Sequence, residues 1–175
     1  MIPFGLTLLI YLFLTLVLLA VLSYLVYTTL EGGPIFWPTP MDKVKKMLKM
    51  AKAGQGSTVV DLGSGDGRIL IEAAKLGAKA IGYELDPLLV WQSRKKIKKA
   101  GLSHLAKVHL KSFWQANLNE ATIISLYLLP QHMKKMEKLL KKKLNHSVLV
   151  VSYDYPFLRK KHLEKSGKVY LYQFP

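Results

Sequence analysis

From residue 5 to residue 30 the chain is apolar at nearly every position, and no charged side chain precedes Glu31. A run of that length predicts one helix able to cross a bilayer with some tilt. The rhythm then changes. Met41, Val44, Leu48 and Ala51 recur at helical spacing with lysines between them, which predicts an amphipathic helix. Thr39 reads as its N-cap, with Pro40 at the first position, Asp42 closing a Thr-x-x-Asp box, and Gly54 ending it. Beyond it, short β-branched runs alternate with helical patterns. Strands are expected at Val59–Leu62, Lys79–Leu85, Ala106–Leu110, Ala121–Tyr127, Ser147–Ser152 and Lys168–Phe174. Helices are expected at Ile69–Ala74, at Leu88–Ala100 behind an Asp86 cap and Pro87, and from Pro130, where Met133, Met136, Leu140 and Leu144 form the apolar stripe. Lys111–Glu120 reads as a loop. Strands alternating with helices predict an α/β fold with a parallel, doubly wound sheet. The tail after Ser152 leaves room for one more strand, giving about six.

Three segments follow: an apolar anchor over residues 1–30, a linker over 31–40 that is rich in Gly and Pro to Pro38, and a domain over 41–175. A cleaved signal peptide fits poorly, because no Lys or Arg precedes the apolar run and the run is long. Lys43, Lys45, Lys46, Lys49 and Lys52 follow the span and none precede it. The positive-inside rule therefore expects a single-pass protein with its N-terminus outside and its domain inside. Inside means the cytoplasm of a prokaryotic cell, or the matrix side of the mitochondrial inner membrane. The absence of an Arg-rich presequence favours the prokaryotic case.

The formal net charge of +15 lies entirely beyond the apolar run. It implies an anionic neighbour, lipid or nucleic acid. Basic faces on the helix at 41–51 and on the helix after Pro130 suit lipid headgroups, although the latter also reads as an ordinary solvated face. No zinc finger, helix-turn-helix or RNP pattern supports nucleic acid. The chain has no cysteine, which excludes disulfides and thiolate chemistry, and its five histidines fall at no metal-ligand spacing. No metal site is expected.

The chemistry concentrates at Val59-Val60-Asp61-Leu62-Gly63-Ser64-Gly65-Asp66-Gly67-Arg68. A buried strand ends in a glycine-rich turn that opens a helix, and Glu84 stands at the end of the next strand. This is the ligand crevice of an open α/β sheet. The spacing is GxGxG and not the GxGxxG that fits a pyrophosphate. Glu84 is an acceptor for paired ribose hydroxyls, or else an ordinary strand-end carboxylate. The Val59–Gly67 run resembles the first motif of class I S-adenosylmethionine-dependent methyltransferases.

A closer resemblance covers Pro38 to the C-terminus. The apolar segment, Pro38-Thr39-Pro40, VDLGSGDGRI, GYELDPLLVWQSR, Trp114 and Leu129-Pro130-Gln131 follow one another in an order similar to a particular family. These are the membrane-anchored protein-lysine methyltransferases that modify the ATP synthase c-subunit and the adenine nucleotide translocase. The resemblance implies a Rossmann-like class I methyltransferase fold and S-adenosyl-L-methionine as cofactor, held by Asp61, Gly63, Gly65, Asp66, Gly67 and Glu84. It also implies a lysine of a membrane-embedded protein as acceptor. The family carries an acid two positions before the tryptophan, to meet the adenine amino group; here Ser112 stands there.

Methyl transfer needs positioning and water exclusion more than a dedicated catalytic side chain. The acceptor belongs beyond the fourth strand, near Tyr127, Pro130 and Gln131. Leu128-Leu129-Pro130-Gln131 is unlike the Asn/Asp-Pro-Pro-aromatic segment of enzymes acting on nucleic-acid amines. Tyr127 and Asp154 are the candidates for a role at the acceptor, and Asp154 reads equally as a turn residue. Other readings are a lipid or quinone methyltransferase, and a tethered nucleic-acid- or cofactor-binding module without catalysis.

Overall fold

The computed structural model describes residues 3–30 and 37–175. The chain divides into two compact units, residues 1–33 and 34–175. In the first, α1 runs from Phe4 to Leu30. Within it Phe4–Tyr24 is long and apolar enough to cross a membrane, a description that signal sequences share. Residues 31–36, most of the expected linker, lie outside the described residues.

The second unit holds seven strands and four helices among its described residues: α2 (Met41–Met50), β1 (Thr58–Leu62), α3 (Arg68–Lys75), β2 (Lys79–Glu84), α4 (Pro87–Lys99), β3 (Ala106–Leu110), β4 (Ile123–Leu126), α5 (Pro130–Lys143), β5 (Val148–Tyr153), β6 (Glu164–Ser166) and β7 (Val169–Phe174). A 3₁₀ turn, Phe113–Gln115, interrupts the expected loop after β3. The sheet order is β3-β2-β1-β4-β5-β7-β6. Strands β1 to β5 are parallel, whereas β7 runs antiparallel to both β5 and β6.

The count of about six strands, and an entirely parallel sheet, are thus corrected. β6 is three residues long, too short and too polar to show in the apolar rhythm. Gly167, at φ +62°, turns it back into β7 within a tight hairpin. An antiparallel pair needs no crossover helix, so the short tail accommodates two strands.

The sheet is covered on both faces, which explains why its central strands read as continuous apolar runs. Val44, Leu48, Leu70, Ala73 and Val90 from α2, α3 and α4 pack on one face. Met133, Met136 and Leu140 from α5, with Phe113 and Leu118, pack on the other. The α5 stripe is buried as its spacing predicts, Leu144 included. Asp86 caps α4 as expected, its carboxylate accepting from the N–H groups of Leu88 at 2.8 Å and Leu89 at 3.3 Å.

The ends of α2 differ from expectation. No side chain caps it, and Pro40 holds the N-cap position. Thr39 is buried instead, and its carbonyl accepts a 2.8 Å hydrogen bond from Arg68 Nη1. At the other end the helix stops before Gly54, because Lys52 takes a positive φ of 53°. Met41 is exposed, and Met47 takes its place on the buried face.

Candidate functional site

The C-terminal ends of β1, β2 and β4 build the site. Register pairs Asp61 with Gly82 on one side and with Ser125 on the other. As β1 ends, the N–H groups of Gly63 and Ser64 both donate to the carbonyl of Tyr83, each at 3.0 Å. This pins the turn to the tip of β2. Gly63, Gly65 and Gly67 have φ of +90°, +52° and +80°, the left-handed region in which a Cβ is penalised. Gly67 has a second reason to be glycine: a Cβ there would sit 2.2 Å from Ser93 Oγ on α4.

Three carboxylates surround this turn in different states. Glu84 accepts from the N–H groups of Gly65 at 2.8 Å, Leu85 at 2.7 Å and Asp86 at 2.9 Å. Among the described residues it forms no ion pair. Asp61 is buried, and desolvation pushes its pKa up to about 7, offset in part by the 2.5 Å hydrogen bond from Ser125 Oγ and reinforced by the charges of Glu84 and Asp66. Burial would also raise Asp66, but hydrogen bonds from Arg68 and Lys96 overcome it and hold that carboxyl at about 2. Arg68 Nε and Nη2 reach Asp66 at 2.9 Å each, and Lys96 Nζ reaches it at 2.6 Å.

Asp66 therefore faces α3 and α4, while Glu84 and Asp61 lie against the turn itself. Ser112 is buried just past β3, whose Leu110 is the register partner of Glu84. The N–H of Lys111 donates to the Glu84 carbonyl at 2.9 Å, which sets Ser112 beside the tip of β2. Its hydroxyl makes no capping bond to the 3₁₀ turn that follows. Reasoning from sequence missed Ser125, the Arg68–Lys96 clamp and the Tyr83 carbonyl. Register and contacts between distant elements reveal these three, and no local motif marks them.

On the neighbouring stretch of the same edge, Tyr127 follows β4. Its ring lies 4.9 Å from that of Tyr153 in an edge contact and 6.5 Å from that of Tyr155, near parallel. Burial raises the Tyr127 phenol above its ordinary value, with Asp154 adding to the effect. Asp154 has φ +70° and forms a 2.6 Å ion pair with Lys168. The described residues contain no cluster of side chains able to hold a metal ion.

The residues at the turn fit a nucleoside-type cofactor. A positive-φ backbone gives close approach, and an acceptor-only carboxylate, without an ion-pair partner among the described residues, stands at the adjacent strand tip. With the strand order 3-2-1-4-5-7-6, this defines a class I methyltransferase fold, Rossmann-like and seven-stranded. The chain belongs to the ANTKMT methyltransferase domain family, which matches residues 61–164.

It is 37% identical over 122 residues to the human lysine N-methyltransferase of the ATP synthase c-subunit, covering 70% of this chain and 52% of that one. It is 35% identical over 120 residues to a protein-lysine N-methyltransferase of Saccharolobus islandicus (strain REY15A), covering 67% and 74%. Among solved structures, an RNA methyltransferase from Salinibacter ruber in complex with S-adenosyl-L-homocysteine superposes with a TM-score of 0.75. That protein is 38% identical, with 79% of this chain and 94% of that chain covered. The chain spans about half the length of the first curated relatives it matches.

Proposed function

We propose that this protein is an S-adenosylmethionine-dependent protein-lysine N-methyltransferase acting on a membrane-embedded protein. The observation that carries the reading is the glycine turn between β1 and α3 with Glu84 beside it, in a chain of this family. Asp61, Gly63, Gly65, Glu84 and Ser112 hold the cofactor. Gly67 and Asp66 set the angle at which α3 leaves the turn, by close packing on Ser93 and by the clamp to Arg68 and Lys96. When bound, the cofactor would supply an activated methyl group on a sulfonium, for a neutral amine to take with its lone pair, leaving the thioether S-adenosylhomocysteine. The protein's task is orientation and the exclusion of water. A lysine entering the site sheds its proton more readily because desolvation lowers its pKa, so no dedicated base is required.

The helix at Phe4–Leu30 and the lysines that follow it support a membrane anchor, with the N-terminus outside and the domain at the cytoplasmic or matrix face. Confining enzyme and substrate to one surface raises their effective concentration. The basic faces of α2 and α5 then meet anionic lipid.

The test is calorimetric titration of the full-length protein in detergent with S-adenosylhomocysteine, with NAD as control, followed by methyl transfer to purified ATP synthase c-subunit. Binding of the first ligand alone and a methylated lysine are expected. A second reading, an RNA acceptor, is favoured by the name of the Salinibacter ruber protein and by the +15 charge. Transfer to RNA with none to protein would replace the lysine reading. An altered lipid profile in a deletion strain whose proteins keep their methyl groups would point to a lipid or quinone acceptor.

A further inference from the structure

We infer that Tyr127, Tyr153 and Tyr155 form an aromatic subsite for the cationic head of the acceptor, built into the sheet edge beside the cofactor turn. This deepens the lysine reading above and rests on it for the identity of the acceptor. The placement follows from register. Leu62 pairs with Leu126 and Leu126 with Ser152, so the next residues in line along the edge are Gly63, Tyr127 and Tyr153. Tyr127 and Tyr153 thus continue the strand ends from which the glycine turn departs.

A strained piece of backbone brings the third ring in. Asp154 takes φ +70°, and the N–H of Tyr155 donates to the carbonyl of Tyr153 at 2.9 Å. This is a γ-turn of the rarer, strained hand. The N–H of Asp154 is bound to the Lys168 carbonyl at 2.8 Å, and its carboxylate to Lys168 Nζ at 2.6 Å, so the hairpin turn between β6 and β7 holds the γ-turn in place. The result is that Tyr153 and Tyr155 both approach Tyr127, at 4.9 and 6.5 Å between centroids. Strain of this kind is retained where the surroundings enforce it, and it clusters at ligand sites.

The chemistry suits an ammonium or methylammonium group. A cation against an aromatic face is attracted within about 6 Å of the ring centroid, and multi-ring cages select methylated ammonium groups. All three tyrosines are only half-buried and remain accessible. Among the described residues, Lys43 and Lys168 lie close enough to act on these phenols, and each is held by a carboxylate, Lys43 on Asp42 and Lys168 on Asp154, both at 2.6 Å. Their charge is thereby offset, and an incoming cation meets π faces in place of bare ammonium groups. The rings hold the acceptor as it arrives as an ammonium; its proton then leaves to solvent before the nitrogen takes the methyl group.

The test places 3-fluorotyrosine at position 127 of the full-length chain in non-ionic detergent and follows its ¹⁹F resonance. Choline is the cationic probe, and 3,3-dimethylbutan-1-ol is its neutral isostere. A saturable shift is expected with choline, at roughly tenfold lower concentration than with the alcohol. It should weaken about tenfold in Tyr155→Leu and persist in Tyr155→Phe, which controls for folding. Equal responses to the two probes, or none that saturates, would overturn the subsite. The c-subunit assay separates the two ideas. Choline saturation without lysine methylation leaves the subsite standing and removes the lysine reading, whereas lysine methylation with a flat choline response does the reverse.

Discussion

Among the residues of the site, the three carboxylates around the glycine turn differ more in their partners than in their positions. Glu84 accepts hydrogen bonds, among the described residues, from backbone N–H groups alone. Losing it removes the hydroxyl acceptor and also frees the Gly65 N–H. Glu84→Ala is therefore expected to weaken S-adenosylhomocysteine by about tenfold or more, as removal of a half-buried charged acceptor does, in a calorimetric titration of a variant that still unfolds cooperatively. Asp61 makes a different prediction. Its folded pKa of about 7 stands above the ordinary 3.8, so between these values the folded state holds a proton that the unfolded state has lost. The stabilisation is full below pH 3.8 and fades as pH rises through 7, by about 1.4 kcal/mol for each pH unit at most. Asp61→Asn removes that dependence and keeps a partner for Ser125. Its melting temperature should exceed that of the cofactor-free wild type at pH 8, and the gap should close near pH 5. Parallel curves across that range would mean that Asp61 titrates normally.

Elements set where those residues point, and here the sequence was legible in part. The β1 turn, the Asp86 cap and the α5 stripe were visible because each depends on neighbours within a turn or two. The Thr39 box was not realised, because the Thr39 carbonyl is taken by Arg68, a partner 29 positions away. Arg68 also grips Asp66, which Lys96 reaches from α4, so one guanidinium joins the entry of α2 to the start of α3. Gly67 shows the same dependence on a distant element. Gly67→Ala is expected to cost about 2–4 kcal/mol, from the left-handed backbone and the encounter with Ser93 together. Adding Ser93→Gly should recover the steric part alone, about half, in chemical denaturation. Full recovery would show that the backbone angle costs nothing.

For the whole molecule, composition gave the class and charge readily, whereas the strand count failed on a hairpin of only three polar residues and a glycine. Charge supports a lipid partner, and that idea is measurable. Residues 34–175 form a compact unit of their own. Co-sedimentation of this unit should be far stronger with anionic than with neutral vesicles, with each lysine near the surface contributing about 1 kcal/mol. Equal binding to both would remove lipid from the account.

The position of β7 bears on how the protein is made. It is the last strand in sequence, yet it lies inside the sheet between β5 and β6, with Tyr172 and Phe174 fully buried. At roughly 5–20 residues per second, synthesis from residue 58 to residue 174 takes on the order of ten seconds. From the time β5 is made until β7 follows it, the outer edge of β5 has no strand beside it, and α1 was made long before. Ribosome-stalled chains that stop short of β7 should therefore remain open to protease, and chains that include it should not.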